Sequence, residues 1–472
     1  MQAELQPLHQ PKQAALSRSG HVSLERLINC YVVPNPEGAP SPASIHGSDE
    51  PASWTTVGAG PIRGMVRAGQ YVYVVSGPTL YRVDSGKGVF TIGGIAGSGV
   101  VRMIASTTQV LIAVPGSFVY VATPTTLAIV INVSSINGMA QQDGYGFLTQ
   151  QGTDQVWATN LDDLDTVAAD AFTTADAFTD LCMGCASKGR NLVVFKEETI
   201  ELLYNAGLSP FPFVRGQPGV IERGCYASGS ISADADSVRF LGNDRRVYEL
   251  RGYEVREIST PQIAYRLAQA YSPESAEAIT YSKWGHTFYV LSLSYFTVVY
   301  DTTTGLWHER KSTSLARWGI HGYVNAFGKH LVGDHDGNTV YALDDTQSST
   351  EYIPQIVMAP LFGGGPRVVC DELYVDIETG TTNSETLEST ILLDWSEDDG
   401  RTWVGQRTGS LGSIGGYGQR LRWTRLGSFY RRTFRLTMTG TGVEQVGLAG
   451  VSNTLLRYPV MQQPYAKLAV LR

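Results

Sequence analysis

The chain has 472 residues, room for two to four domains, with 43% hydrophobic and only 17% charged side chains, a composition that excludes disorder and implies a weakly charged surface. Its 36 basic and 44 acidic residues leave a formal charge of −8, which argues against a tight nucleic-acid binder, since that task needs clustered Lys and Arg. No stretch reaches the ~18 apolar residues of a membrane span, and the chain's start has no apolar secretion segment, so assembly in cytoplasm is expected. Five cysteines, Cys30, Cys182, Cys185, Cys225 and Cys370, are an odd set and are expected to stay reduced.

In chain order, the stretch 1–50 holds one apolar piece, Leu24 to Val33, followed by a Pro-rich run over 34–51 that reads as a linker. Leu24, Leu27, Ile28 and Val32 have no evident partner in that linker, so residues 1–54 are predicted to form a docking segment and linker. A repeated phrase then begins: an apolar strand, a turn of Gly, Pro, Asn or Asp, and a second strand that often carries Val-Tyr, as in 72–84, 110–122, 238–251 and 330–344. Taking Tyr81, Tyr120, Trp157, Leu202, Tyr248, Tyr300 and Tyr341 as equivalent marks, the spacings are 39, 37, 45, 46, 52 and 41. Periods of this size suit four-stranded blades, so 55–350 is predicted to be a β-propeller of six or seven blades. One N-terminal strand is expected to complete the last blade.

Two segments interrupt this pattern. Thr260 and Pro261 supply an N-cap and a first-turn proline, and Ile263, Leu267 and Ala270 share a face, which predicts a helix over 261–271. The acidic stretch 161–178 has no clean period and reads as a loop. After ~355 the strands alternate without blade spacing, so 351–472 is predicted to be a separate β-sandwich, making the whole chain all-β.

The sharpest short motif is Ser396-Glu397-Asp398-Asp399-Gly400-Arg401-Thr402-Trp403, an Asp box of the kind found in sialidase-like proteins. Its roles are structural: Asp398 accepts backbone N–H bonds across a hairpin turn to which Ser396 and Thr402 belong, Gly400 supplies a positive φ, and Trp403 packs beneath. The motif leaves open a glycan-binding or sialidase-like propeller as the alternative function. A sialidase also needs an arginine cluster and a tyrosine nucleophile with a carboxylate partner, and Pro61-Ile62-Arg63-Gly64 has the wrong order for the usual early motif. Adjacent carboxylates at Asp162 and Asp163 sit on a loop and do not make an acid–base pair. Cys182-Met183-Gly184-Cys185 has zinc spacing without a second pair and reads as a buried strand end. Asp334, Asp336 and Asn338 alternate as calcium ligands do, yet Asp336-Gly337 is a strong hairpin turn and Thr339 stands where the calcium loop wants glycine. The glycines at 93, 94, 97 and 99 lack phosphate-loop spacing, and His286 and His308 flank a hairpin as packing or surface residues. No catalytic, metal or cofactor site is therefore assigned.

Longer phrases carry the remaining information. RLINCYV (26–32), GTDQVWATNLDDLDT (152–166), FPFVRGQPGVIERGC (211–225), GYEVREIST (252–260) and 285–310 resemble the packaged-DNA stabilisation, or tail hub (nozzle), proteins of short-tailed bacteriophages. The resemblance extends to the arginine-rich 421–436. It implies a structural virion protein and not an enzyme: a ring of six below the portal and its head-to-tail adaptor, which closes the DNA channel after packaging and conducts DNA during ejection. It also implies tail needle, fibre or spike proteins as partners, and passing DNA that is not held tightly. Six copies at −8 each would line a passage that does not grip a polyanion.

Overall fold

Short β-rich runs punctuated by turn residues cannot bury both faces alone, and here they stack radially. The computed structural model describes residues 4–7, 11–39, 42–344, 352–362, 367–377, 379, 390–413, 415–418, 421–439 and 461–470. Among these, seven four-stranded blades form a β-propeller, over 62–94, 102–134, 136–174, 182–221, 232–257, 277–310 and 320–344. All seven aromatic or leucine marks fall in the third strand of a blade, from Tyr81 in Thr79–Val83 to Tyr341 in Thr339–Asp344. That common position resolves the expected count of six or seven to seven. The last blade has only three strands from its own region, and the N-terminal strand Glu50–Thr56 supplies the fourth, pairing with Thr339–Asp344. Closure by a strand from the other end of the sequence removes the edges a broken ring would expose.

Among the described residues five strands precede blade 1: β1 (Glu4–Pro7), β2 (Arg26–Ile28), β3 (Cys30–Pro34), β4 (Ala43–Gly47) and β5 (Glu50–Thr56). The run read as a linker therefore contains strand structure, because β3 and β4 form a hairpin from Cys30↔Gly47 to Pro34↔Ala43. The sandwich draws on the same segment. One of its sheets runs β3, β4, Met461–Val470, Val368–Ile377 and Leu421–Thr424. The other runs β2, Gln355–Val357, Arg431–Thr439, Thr390–Ser396 and Val404–Ser410. On its far side β2 also pairs, in parallel, with the outer strand of blade 6 at Ile28↔Glu309. A single sheet thus passes from propeller to sandwich through β2, and the sandwich is not the separate C-terminal unit the strand pattern suggested.

The helix forms at Pro261–Ala268, with the Thr260 hydroxyl accepting the Ile263 N–H at 3.3 Å and Ile263 and Leu267 buried between blades 5 and 6. It stops three residues short of the expected end, at a C-cap on Gln269. The stretch 161–178 includes a short strand, Phe172–Thr174, the outer strand of blade 3; tertiary pairing imposes it where the local sequence shows no period.

Candidate functional site

Two places concentrate charged and polar side chains inside the fold: the propeller axis and the seam with the sandwich. Around the axis, four inner strands share the phrase Ile/Cys-x-Gly: Ile62-Arg63-Gly64, Ile136-Asn137-Gly138, Cys182-Met183-Gly184 and Ile320-His321-Gly322. The first three carry a register shift at the middle residue, the bulge that re-aims a side chain, and the fourth carries it one residue later, at Gly322. The glycines allow close approach: a β-carbon on Gly138 would lie 2.5 Å from the Gly184 Cα. This repeat identifies the inner strands directly, and hairpin marks alone overlook it.

The residues before the glycines tie blades together. Arg63 is buried and donates to the carbonyls of Gly99 at 2.6 Å, Gly77 at 3.0 Å and Ala96 at 3.3 Å. Asn137 donates to the Cys182 carbonyl of the next blade at 2.7 Å. His321 Nε2 lies 3.1 Å from the Arg63 carbonyl; because a carbonyl only accepts, this nitrogen carries the proton. Burial lowers the pKa of His321, which is consistent with the neutral ring.

Across the axis itself, Arg102 of blade 2 forms a forked pair with Glu277 of blade 6, at 2.8 and 3.0 Å. Burial would raise the Glu277 pKa, but the Arg102 guanidinium outweighs it and holds it below the usual carboxylate range. The pair borders a 280 Å³ cavity that Ser232, Thr280, Trp318 and His321 also line. The short turn Ser228–Ser230 lies nearby, its Ser228 hydroxyl donating to the Asn137 carbonyl at 2.6 Å and its Ser230 carbonyl accepting from Tyr289 at 2.8 Å. The axis is therefore plugged by an ion pair and a backbone turn. Its carboxylate already accepts from a guanidinium and its histidine already donates to a carbonyl, so both groups are engaged in holding blades together.

At the seam, Glu309 of blade 6 is buried and receives Arg26 of β2 at 2.9 and 2.7 Å and Arg266 of the helix at 2.8 Å. Burial pushes this carboxyl up, yet the two guanidinia bring it down to about 2. Beside it Asn29, held at φ +54°, donates to the carbonyls of Lys311 at 2.8 Å and Ile353 at 3.2 Å, and accepts the Lys311 N–H at 2.9 Å. One side chain thereby joins the end of blade 6, the N-terminal segment and the entry to the sandwich.

A family model described as bacteriophage P22 Gp10, beta-propeller, matches residues 50–348, and one described as bacteriophage P22 Gp10, beta-sandwich, matches 355–453. The chain belongs to the bacteriophage P22 Gp10 family. Its role is accordingly that of a structural phage tail protein. Among curated proteins none matches this Gp10-family chain. Solved structures similar to it include the Pan2 WD40 domain of Neurospora crassa, at 8% identity and TM-score 0.40, covering 65% of this chain and 99% of that one. BamB from Moraxella catarrhalis is similar at 12% identity and TM-score 0.39, covering 74% and 99%.

The residues singled out in the sequence fall as follows. Leu24, Leu27, Ile28 and Val32 are buried within the chain itself, which corrects their assignment to a partner. Leu27 and Val32 lie in the sandwich core with Cys370, Leu393 and Leu436. In β3 the two-residue period turns Tyr31 the other way, onto Phe288, Tyr281 and Trp318 of the propeller. A side chain enclosed by its own fold has no surface left for another protein.

The Asp box forms the turn between Thr390–Ser396 and Val404–Ser410. Asp398 accepts the Thr402 N–H at 2.8 Å and hydroxyl at 2.6 Å and the Ser396 hydroxyl at 2.8 Å, while Gly400 takes φ +83°. The Thr402 hydrogen bonds, above all, bring Asp398 down to about 2. Trp403 is half-buried with Arg435 stacked 4.0 Å from its ring centre. Leu24 packs against Gly400, so two features that seemed unrelated in the sequence meet here.

Cys182 and Cys185 face the core between blades 3 and 4, and burial pushes the Cys182 thiol up to about 12. Their spacing is a copy of the inner-strand repeat. Asp334 accepts from the Asp336 N–H at 3.1 Å and the Tyr341 hydroxyl at 2.9 Å, in the turn between Lys329–Asp334 and Thr339–Asp344. His286 pairs with Asp301 at 2.7 Å, and His308 is buried beside Tyr31. Among the described residues no three His, Cys, Asp or Glu side chains converge as metal ligands.

Proposed function

We propose that this chain is one subunit of a tail hub, or nozzle: a ring of six seated below the portal and head-to-tail adaptor, which closes the DNA channel after packaging and conducts DNA during ejection. The observation that carries this reading is the ordered pair of Gp10 family matches over 50–348 and 355–453. The plugged axis supports it from a second direction. Arg102 and Glu277 cross the propeller centre, so DNA passes through the middle of the ring of subunits and not through a single propeller. Needle, fibre or spike proteins then seat on the ring, which resides in the virion after assembly in host cytoplasm.

With a net charge of −8 the subunit retains DNA sterically and not by binding phosphates. Particles assembled without the protein are expected to package DNA and then lose it, which counting full and empty heads by cryo-EM measures directly. In complete particles, leakage is expected to vary little between ~50 and 200 mM salt, a range over which phosphate-mediated retention falls steeply. Stable full heads lacking the protein, or twelve or three copies at this level, would overturn the reading.

A further inference from the structure

Between residues 88 and 142 the sequence has a single charged side chain, Arg102, and that one is turned into the axis to meet Glu277. The outer surface of blade 2 is consequently free of charge, while Phe118, Ile129 and Ile131 stand 50, 52 and 74% exposed on it. The outer strands of blades 4 to 6 are guarded: Glu254–Glu257 in blade 5 carries two Glu and an Arg, Phe213–Ile221 in blade 4 contains Arg215 and Pro218, and that of blade 6 is covered by β2, whereas Val89–Gly94 in blade 1 is uncharged as that of blade 2 is and leaves Val89 and Phe90 exposed. Leu127–Ser134 in blade 2 has neither charge nor proline. A large exposed apolar face depleted of charge is the composition of an interface core.

Its margin is basic toward blade 1, where Arg82 donates to the Pro124 carbonyl at 3.2 Å, and acidic toward blade 3. Residues 143–180 contain eight aspartates and no Lys or Arg. Asp162, Asp165 and Asp170 are exposed on the loop before Phe172–Thr174, beside Asp143. Asn132 of Leu127–Ser134 donates to the Val167 carbonyl of this loop at 2.9 Å, so the acidic rim adjoins the charge-free face.

The complementary surface lies at the far end of the same molecule. Val404–Ser410 and Leu421–Thr424 are the last strands of the two sandwich sheets, at the opposite sheet edges from β2 and β3. Arg407 and Arg425 are exposed on this flank with Val404 and Tyr417; one strand further in, Glu372 is held by Arg422 at 2.7 Å and Asp371 and Asp376 lie on the same strand, while the Asp-box carboxylates Glu397, Asp398 and Asp399 stand at the turn beside Leu24. The sandwich joins the propeller at blade 6, and in a ring of seven the blades farthest from blade 6 are 2 and 3.

We propose that the blade 2 face, with the blade 3 aspartate rim, receives the free end of the sandwich of a second copy of this chain. Such a contact is heterologous, and repeated with a fixed rotation it closes a ring. The inference rests on the ring reading above and names the surfaces that build it. The apolar faces form the centre of the contact, and the charges at its margin set partner orientation and encounter rate.

The test uses the full chain with the portal–adaptor complex. One variant, Asp162→Lys with Asp165→Lys and Asp170→Lys, is basic at both ends; a second, Arg407→Glu with Arg425→Glu, is acidic at both ends. Each alone is expected to lower ring occupancy by about tenfold or more. An equimolar mixture restores it, because the two variants can alternate around an even-numbered ring. Thermal melts check that each variant folds, and the milder Asp→Asn and Arg→Gln sets replace any that does not. Rings formed by each variant as by wild type overturn these surfaces and leave the ring reading intact, as does failure of the mixture to recover. A variant that enters the ring but loses a fibre or adaptor instead gives the face to that partner and overturns the inference. Absence of any ring with the wild-type chain overturns both readings together.

Discussion

The propeller and the sandwich solve the same problem, closing a β-structure, with opposite use of the sequence. Six blades take all four strands from one contiguous stretch, and only the seventh borrows β5. In the sandwich, each sheet joins N-terminal strands, β2 in one and β3 with β4 in the other, to strands from Gln355 onward. Local pairing leaves a periodic trace that can be read, whereas pairing between the two ends of the chain leaves none. The two bodies also depend differently on the N-terminal segment, as four perturbations would bring out.

The largest effect is expected from removing residues 1–33. This deletes Leu27, Ile28, Tyr31 and Val32 from two cores, at about 1.5–3 kcal/mol per buried side chain. The sum is comparable with the whole stability of a domain, ~5–15 kcal/mol. Calorimetry should show the sandwich transition lost, with the propeller transition retained through β5. Retention of both transitions would mean the sandwich closes without this segment.

Glu309→Gln comes next. It leaves Arg26 and Arg266 facing each other without a carboxylate, a change that costs about 3–5 kcal/mol when a buried pair is broken. Denaturant titration measures it, and replacing all three side chains by apolar ones of similar volume should recover most of the loss. Within the propeller, Gly138→Ala drives a methyl against the Gly184 backbone and should cost about 1–3 kcal/mol while sparing the sandwich. An unchanged propeller melt would contradict the close approach of the inner strands.

The smallest effect is a pH limb at the seam. Burial, helped by Arg310, pulls His308 down to about 3 from an ordinary 6.5. Between those values the unfolded chain binds more protons, so stability from this site is complete above pH ~6.5 and is lost as pH falls toward 3. The slope from this site is at most about 1.4 kcal/mol per pH unit, and His308→Leu should reduce the limb by that share, leaving what His321 and His330, also lowered by burial, contribute. Glu309 adds a second loss at lower pH, between its ordinary 4.5 and about 2. A limb above pH ~5 left unchanged in His308→Leu would place the titrating group elsewhere.

These contrasts explain what was legible. The seven marks identified the third strands because a hairpin and its core-facing aromatic are encoded within a dozen residues. Thr260-Pro261 located the helix for the same reason, and Asp398 with Gly400 located a turn. Leu24, Leu27, Ile28 and Val32 were legible as apolar but not as core, because their partners Leu393, Leu436 and Gly400 lie toward the opposite end of the chain. The axis pair was hidden as well. Nothing local relates Arg102 to Glu277, which the ring geometry alone brings within 2.8 Å. The Ile/Cys-x-Gly repeat stood in the sequence throughout, masked at 182–185 by its likeness to a metal motif.

Closure of blade 7 by β5 also imposes an order of events on the ribosome. The strand Glu50–Thr56 is made early, but its neighbour Thr339–Asp344 follows only after six whole blades and the first two strands of the seventh. At about 5–20 residues per second, synthesis from Glu50 to Thr339 takes roughly 15–60 s. Throughout it β5 is a nascent edge with no neighbour, long after blades 1 to 6 have had time to pair their own strands. The propeller thus emerges as an open arc, and its two ends meet only when translation has passed Asp344.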